Sequence, residues 1–217
     1  MKKYDTVVFD FDFTLVNSSK GAWQSINYGL KQLNFDEVSE REASQTIGLS
    51  LQDTLWKLVG VQDKDTTSKF AIFFREKADG VMHELTTFFP KALDTIPKLR
   101  KAGYRLGIVS TKFRYRIEKI LRRENLFDFF DIIIGGEDVT NHKPNPEGLL
   151  KAINYFEISP ENVLYVGDSK TDEKTAMNAK VDFCAMLTGV TSREAFDKSN
   201  VIQYSYDMID LLEWLRG

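Results

Sequence analysis

Two aspartates two positions apart, Asp10 and Asp12, stand at the end of the first apolar run, in the stretch Asp10-Phe11-Asp12-Phe13-Thr14-Leu15. Alternate residues of a strand point the same way, so a fully extended pair would set one carboxylate against the other. Where the strand opens into a loop, the same two acids can serve one site with separate jobs. The pattern recurs. Ile108-Val109 runs into Ser110-Thr111-Lys112, and Val166 runs into Gly167-Asp168-Ser169-Lys170-Thr171-Asp172. A third run is followed by Gly135-Gly136-Glu137-Asp138 and then His142-Lys143-Pro144-Asn145-Pro146. Each group taken singly has an ordinary structural use. Ser110 could end a strand, Lys143 could be solvated, Asp168 could cap a helix and Asp172 could complement a helix dipole. Together, an acid, a hydroxyl, a lysine and an acid each follow an apolar run, and in an open α/β sheet that carboxyl edge is where ligands bind.

The runs that must position these groups are short and bounded by glycine, polar or charged residues. Tyr4 to Phe11, Tyr104 to Val109, Phe130 to Ile134, Val163 to Val166 and Phe183 to Leu187 read as buried strands. Between the last four lie amphipathic stretches. Ile117, Ile120 and Leu121 share one face, and Leu149, Leu150, Ile153 and Phe156 share another. This order predicts parallel pairing with helices on both faces, a doubly wound, mostly parallel, Rossmann-like α/β sheet.

One interval breaks the rhythm. About ninety residues separate the first strand from the second, far more than one crossover helix needs. Trp23, Ile26, Asn27, Leu30 and Leu33 follow helical spacing there, as do Leu51, Leu55, Leu58 and Val59, and then Phe70, Phe73, Phe74, Lys77 and Val81. No strand is evident, and a structureless loop of that size is implausible. Residues 16–86 are therefore expected to form an inserted helical cap domain, with 1–15 and 87–217 making the α/β core. Pro90 and Pro97 should flank or begin the helix that leads back into the sheet.

Composition narrows the class further. The 217 residues carry 29 basic against 32 acidic side chains, a net charge of −3. That balance argues against a general nucleic-acid binder. No run approaches the roughly 20 apolar residues of a membrane span. The start, Met1-Lys2-Lys3-Tyr4-Asp5, does not read as a signal peptide. The single cysteine, Cys184, excludes an internal disulfide, and two histidines, His83 and His142, cannot build a multi-histidine metal site. The expectation is a cytoplasmic protein with neither nucleic-acid nor membrane partners, a monomer or weak homo-oligomer.

The ordered set Asp10-x-Asp12-x-Thr14, Ser110, Lys143-Pro144 and Gly167-Asp168-x-x-x-Asp172 resembles the haloacid dehalogenase superfamily, and within it the phosphoglycolate phosphatase-like branch. Phe89-Pro90 through Leu99, Gly103 and Tyr104 is similar to the family's passage from cap to core. The resemblance implies a phosphatase acting on a small phosphorylated metabolite. Asp10 would attack phosphorus and Asp12 would serve as acid and then base. Ser110, Thr111 and Lys143 would hold the phosphoryl oxygens. Mg²⁺ would sit on the Asp10 carboxylate, the Asp12 backbone carbonyl and Asp168, with Asp172 positioning Lys143 or a metal-bound water. A carboxylate approaching a phosphate dianion at ~4 Å meets a repulsion of about 8 kcal/mol at an effective dielectric of ~20, so positive charge is needed.

Three positions depart from the branch. Phe13 stands where glycine is usual, which puts the substrate in question. Thr111 stands where many relatives carry asparagine. Lys180 replaces a common glycine after Asn178-Ala179. Asp12 itself argues against dehalogenation, since dehalogenases of the superfamily generally lack an acid there. The same core residues would serve a sugar phosphomutase of the β-phosphoglucomutase type, or a pyrophosphatase. A non-enzymatic phospho-acceptor would lack the long insertion. Substrate selection would fall to the cap, where Ile47-Gly48-Leu49-Ser50 and the polar residues Gln24, Gln52, Lys57 and Arg75 are candidates.

Overall fold

Short β-branched and aromatic runs build one six-stranded sheet. The computed structural model describes residues 3–217. In chain order its elements are β1 (Thr6–Phe9), β2 (Val16–Asn17), α1 (Ser19–Gln32), α2 (Glu40–Ser44), α3 (Leu51–Val59), α4 (Lys64–Leu85) and β3 (Thr87–Phe88). They continue with α5 (Pro90–Lys101), β4 (Arg105–Val109), α6 (Arg114–Arg123), β5 (Ile132–Ile134), α7 (Glu147–Phe156), β6 (Val163–Gly167), α8 (Lys170–Ala179), β7 (Asp182–Met186), β8 (Val201–Ser205) and α9 (Met208–Arg216). The sheet order is β5-β4-β1-β6-β7-β8, and every pairing is parallel. From the central β1 the chain proceeds outward through β4 and β5. It then crosses back to β6 and runs outward the other way, so the strand order reverses beside β1.

Side-chain alternation divides the core between the two faces. Phe9, Ile108, Val166 and Cys184 pack with Ile96 and Leu99 of α5, Ile117 and Leu121 of α6, and Leu211 of α9. Val8, Val109, Tyr165 and Phe183 face the other way, against Leu149 and Ile153 of α7 and Ala176 of α8. The chain divides into two compact units, one running up to Val16 and resuming at Phe88, the other spanning Asn17–Thr87. Within the second, Ile26 and Leu30 of α1, Ala43 of α2, Leu55 of α3 and Phe70 of α4 form a separate small core. Among the described residues no helix is long and apolar enough to cross a membrane.

Three details differ from expectation. A sixth strand, β8, extends the sheet beyond β7. The interval expected to hold only helices begins with β2, which pairs with β3. Pro97 lies inside α5 rather than at its start, while Pro90 is the first residue. The helix tolerates the lost backbone donor because Ala92, Ile96 and Leu99 are fully buried around it.

Candidate active site

Strand register sets the site. Phe9 of β1 stands level with Ile108 of β4 and Val166 of β6. The next residues along, Asp10, Val109-Ser110 and Gly167-Asp168, therefore leave the sheet side by side. The Asp10 amide donates to the Val166 carbonyl at 2.8 Å, and that of Ser110 to the Ile134 carbonyl at 3.0 Å. Asp10, Asp12, Ser110, Asp168 and Asp172 are all buried.

Lys143 reaches this edge from the loop before α7. Its ammonium donates to Asp10 Oδ1 at 2.7 Å, Asp172 Oδ1 at 2.6 Å and the Tyr165 hydroxyl at 3.3 Å. The Tyr165 hydroxyl in turn has Asp172 Oδ1 at 3.0 Å and the Val109 carbonyl at 3.3 Å as acceptors. Asp172 holds the start of α8 with its other oxygen. Ser169 is the N-cap, its Oγ accepts the Asp172 amide at 3.2 Å, and Asp172 Oδ2 accepts the Ser169 amide at 3.2 Å and hydroxyl at 2.5 Å. The cap that Asp168 could have supplied is Ser169, and Asp172 divides its two oxygens between that cap and the lysine. Glu147, the first residue of α7, fixes the loop that carries Lys143. Its Oε1 accepts the Thr140 amide at 3.0 Å and its Oε2 the Asn141 amide at 2.9 Å.

Asp12 turns to a different cation. Its Oδ1 lies 3.0 Å from Lys112 Nζ, both side chains being buried. The contact is ionic and off hydrogen-bond alignment, since Asp12 Oδ1 accepts no hydrogen bond. Asp168 receives the Thr14 hydroxyl on Oδ1 at 3.3 Å. Its Oδ2 lies so close to Gly189 that a Cβ there would fall 1.8 Å away, so the loop after β7 must carry glycine to approach the carboxylate.

Asp10, Asp168 and Asp172 offer oxygens that all lie within 4.8 Å of one another. Electrostatics strain this cluster. Burial pushes the Asp10 carboxyl up to about 7, outweighing Lys143, and the Asp172 charge adds to the rise. Burial, then Asp172 and Asp10, push Asp168 well above the carboxylate range. Burial disfavours the Lys143 ammonium, but Asp10 and Asp172 outweigh it and hold its pKa well above the ordinary lysine value. Burial and Asp172 push Tyr165 up, so its phenol stays protonated. Four buried carboxylates thus meet two lysines at one edge. With all four ionised, the excess of two negative charges on hard oxygen donors would fit one divalent cation such as Mg²⁺. Hydrogen bonds from Lys143 and Thr14 use one oxygen each of Asp10 and Asp168, whereas Asp172 uses both of its own.

Sequence reading anticipated Asp10, Asp12, Ser110, Lys143, Asp168 and Asp172, which the structure brings to one edge. Thr111 sits in the same loop and gives close backbone packing, its carbonyl 2.4 Å from where a Cβ on Gly136 would stand. Tyr165, Lys112 and Glu147 were missed. Tyr165 carries a polar atom within an otherwise apolar central strand, a signal that could have marked it. Of the residues proposed for substrate selection, Lys57 donates to the Gln45 carbonyl at 2.8 Å within its own unit.

The sequence pattern of the haloacid dehalogenase-like hydrolases matches residues 7–186. The chain belongs to this family. A Bacillus mycoides relative named pyrophosphatase PpaX is 31% identical over 99% of this chain and 100% of its own. A solved structure from Bacteroides fragilis, assigned as a haloacid dehalogenase-like hydrolase, is 40% identical with a TM-score of 0.93, covering 96% of this chain and 100% of its own. One from Lactobacillus plantarum, assigned as a phosphoglycolate phosphatase, is 26% identical with a TM-score of 0.84, covering 97% and 99%. Within the family, the usual glycine after the second aspartate has a clear basis here. Phe13 has φ of +60°, the left-handed region, and its ring is buried. Lys180, the other departure, is the C-cap of α8 with φ of +57°. Both positions call for the conformation that glycine adopts without strain.

Proposed function

We propose that this protein is a Mg²⁺-dependent phosphatase of the phosphoglycolate phosphatase-like branch, hydrolysing a small phosphorylated metabolite through an aspartyl-phosphate on Asp10. The observation that carries the reading is the buried trio Asp10, Asp168 and Asp172 beside Lys143. A scaffold carboxylate cluster in excess of its lysines would be costly at this edge unless a cation and an anionic ligand complete it. Asp10 and Asp168, with the Asp12 backbone carbonyl by family analogy, would hold Mg²⁺, which supplies positive charge against the phosphoryl oxygens.

In this reading an Asp10 oxygen forms a bond to phosphorus as the bond to the leaving oxygen breaks. Asp12 gives that oxygen a proton. Water then attacks phosphorus, Asp12 takes a proton from it, and the Asp10 carboxylate is released with inorganic phosphate. Lys143 and Ser110 orient the phosphoryl oxygens. Of the three Lys143 contacts, that with Tyr165 is the longest, and is the one a phosphoryl oxygen displaces. Asp172 keeps the ammonium in place, and Thr111 closes the phosphoryl pocket. The Asn17–Thr87 unit is read as the cap.

The relatives named pyrophosphatase favour an inorganic diphosphate as one substrate. The test is Asp10→Asn. It should abolish Mg²⁺-dependent phosphate release from an aryl phosphate while the circular dichroism spectrum stays native. Turnover retained in that variant would sink the assignment. Interconversion of glucose phosphates without phosphate release would instead favour a mutase.

A further inference from the structure

Tyr165 is fully buried, and its phenol is the polar group of an otherwise apolar β6. A buried hydroxyl needs partners, and this one has three. Lys143 donates to it at 3.3 Å, while Asp172 Oδ1 at 3.0 Å and the Val109 carbonyl at 3.3 Å lie within reach as acceptors. A phenol has one hydrogen, and burial together with the Asp172 charge keeps it there. That hydrogen serves one acceptor at a time, and the nearer, charged oxygen of Asp172 is the stronger. The same oxygen receives Lys143 at 2.6 Å. The other oxygen of Asp172 is committed to the Ser169 amide and hydroxyl. Asp172 Oδ1 thus has two donors, an ammonium and a phenol, and the two donors also bond each other. The three groups close a triangle.

The triangle matters under the phosphatase reading above, on which this inference rests. There a phosphoryl oxygen takes the Lys143 hydrogen that points at Tyr165. The transferred group leans most on the ammonium in the transition state, and the hold of Lys143 on Asp172 weakens by the same draw. A buried carboxylate oxygen left short of donors is costly. We propose that Tyr165 is a positioning residue for the reaction. Its hydroxyl takes over Asp172 Oδ1 as Lys143 is drawn to the phosphoryl group, so the ammonium serves the transition state without stranding the carboxylate that aims it. Tyr165 acts through Lys143 and Asp172, not on the substrate. An interaction that strengthens only in the transition state raises kcat and leaves KM alone.

Tyr165→Phe removes the hydroxyl and keeps the ring, whose centroid lies 6.2 Å from that of Phe183. With p-nitrophenyl phosphate and Mg²⁺, kcat should fall about tenfold or more, the range of a hydrogen bond to a charged group. KM and the inhibition constant of inorganic phosphate should change by less than about twofold. The inhibition constant of orthovanadate, which copies the geometry of phosphorus in the transition state, should rise by the factor that kcat loses. An unchanged kcat would overturn the proposal. Parallel losses in kcat, phosphate affinity and thermal midpoint would overturn it in favour of a structural role. A second measurement needs no variant. A crystal structure of the wild-type enzyme with Mg²⁺ and orthovanadate should show the Tyr165 hydroxyl on Asp172, with Lys143 out of its hydrogen-bond reach. A hydroxyl still bonded to Lys143, or turned to Val109, would overturn the proposal there. Absence of Mg²⁺-dependent phosphate release by the wild-type enzyme would instead remove the phosphatase reading itself, and this role with it.

Discussion

Asp10 and Asp12 are two residues apart, and each faces a buried lysine, yet the two pairs are built differently. The Asp10–Lys143 pair is enclosed by Asp172 and Tyr165, with Asp172 anchored in turn to the first turn of α8. The Asp12–Lys112 pair is a contact between two loop ends, and the carboxylate oxygen in it lacks a hydrogen bond. One carboxylate is hydrogen-bonded to its lysine within a network; the other meets its lysine as an ion pair. Under the proposed mechanism that division would suit a double displacement, in which Asp10 attacks from a fixed position and Asp12 exchanges protons with successive partners.

The most severe test of this contrast is Lys143→Met beside Lys112→Met. Removing Lys143 leaves Asp10 and Asp172 buried within 4.8 Å of each other and of Asp168 without their cation. Breaking a buried pair in this way costs about 3–5 kcal/mol. Activity should fall about a thousandfold on every phosphate ester, as for loss of a main electrostatic stabiliser. Lys112→Met should lose less stability in denaturant titrations, since the Asp12 oxygen it leaves accepts no hydrogen bond from it. Equal destabilisation by the two substitutions would break the comparison.

A smaller effect should appear with pH. Without metal, burial pushes the folded Asp10 carboxyl up to about 7 from an ordinary value of 3.8. Between those values the folded state binds more protons than the unfolded one, so stability falls as pH rises through that window. Asp168 acts in the same direction. Mg²⁺ binds the ionised carboxylates and should reduce the fall. Thermal midpoints at pH 4.5 and 7.5, with chelator and with Mg²⁺, read this directly. Asp10→Asn should flatten part of the slope in chelator. A metal-free stability that rises across the window would contradict the strained state of the Asp10 cluster.

These electrostatic contrasts lie beyond what the sequence could display. Strands β1, β4, β5, β6 and β7 were legible because each carries a dense apolar run. β8 was not. Its Ile202 is exposed and its Gln203-Tyr204-Ser205 end is polar, so its run lacks the apolar density that marks even the other edge strand, β5, whose three residues are all isoleucine. Asp10, Ser110, Lys143 and Asp168 were legible because each follows a strand, and parallel register then lines them up without further information. Lys112 was passed over as part of the run after Ser110, since its partner is 100 residues earlier and only the closeness of the two loops pairs them. Phe13 and Lys180 were noticed as departures from a pattern, but their cause, a left-handed backbone, is visible only as a φ angle.

Those two residues give the finest test of how firmly the Asp12 loop is held. A non-glycine residue in the left-handed region costs about 1–2 kcal/mol. Lys180 is exposed, so Lys180→Gly removes the strain and gives up little packing. It should stabilise the protein by up to about 1 kcal/mol, a rise of a few degrees in thermal midpoint. Phe13 relieves the same strain on becoming glycine but also surrenders a buried ring, worth about 1.5–3 kcal/mol. Phe13→Gly should therefore be neutral or destabilising, where Lys180→Gly stabilises, despite nearly the same backbone angle. It should also loosen the loop between Asp12 and Thr14, whose hydroxyl holds Asp168. Its kcat should consequently drop more than its stability alone explains, while Lys180→Gly leaves kcat unaltered. If both substitutions stabilise equally, the Phe13 ring contributes nothing to holding the Asp12 loop, and that side of the site is even less constrained than the Lys143 side.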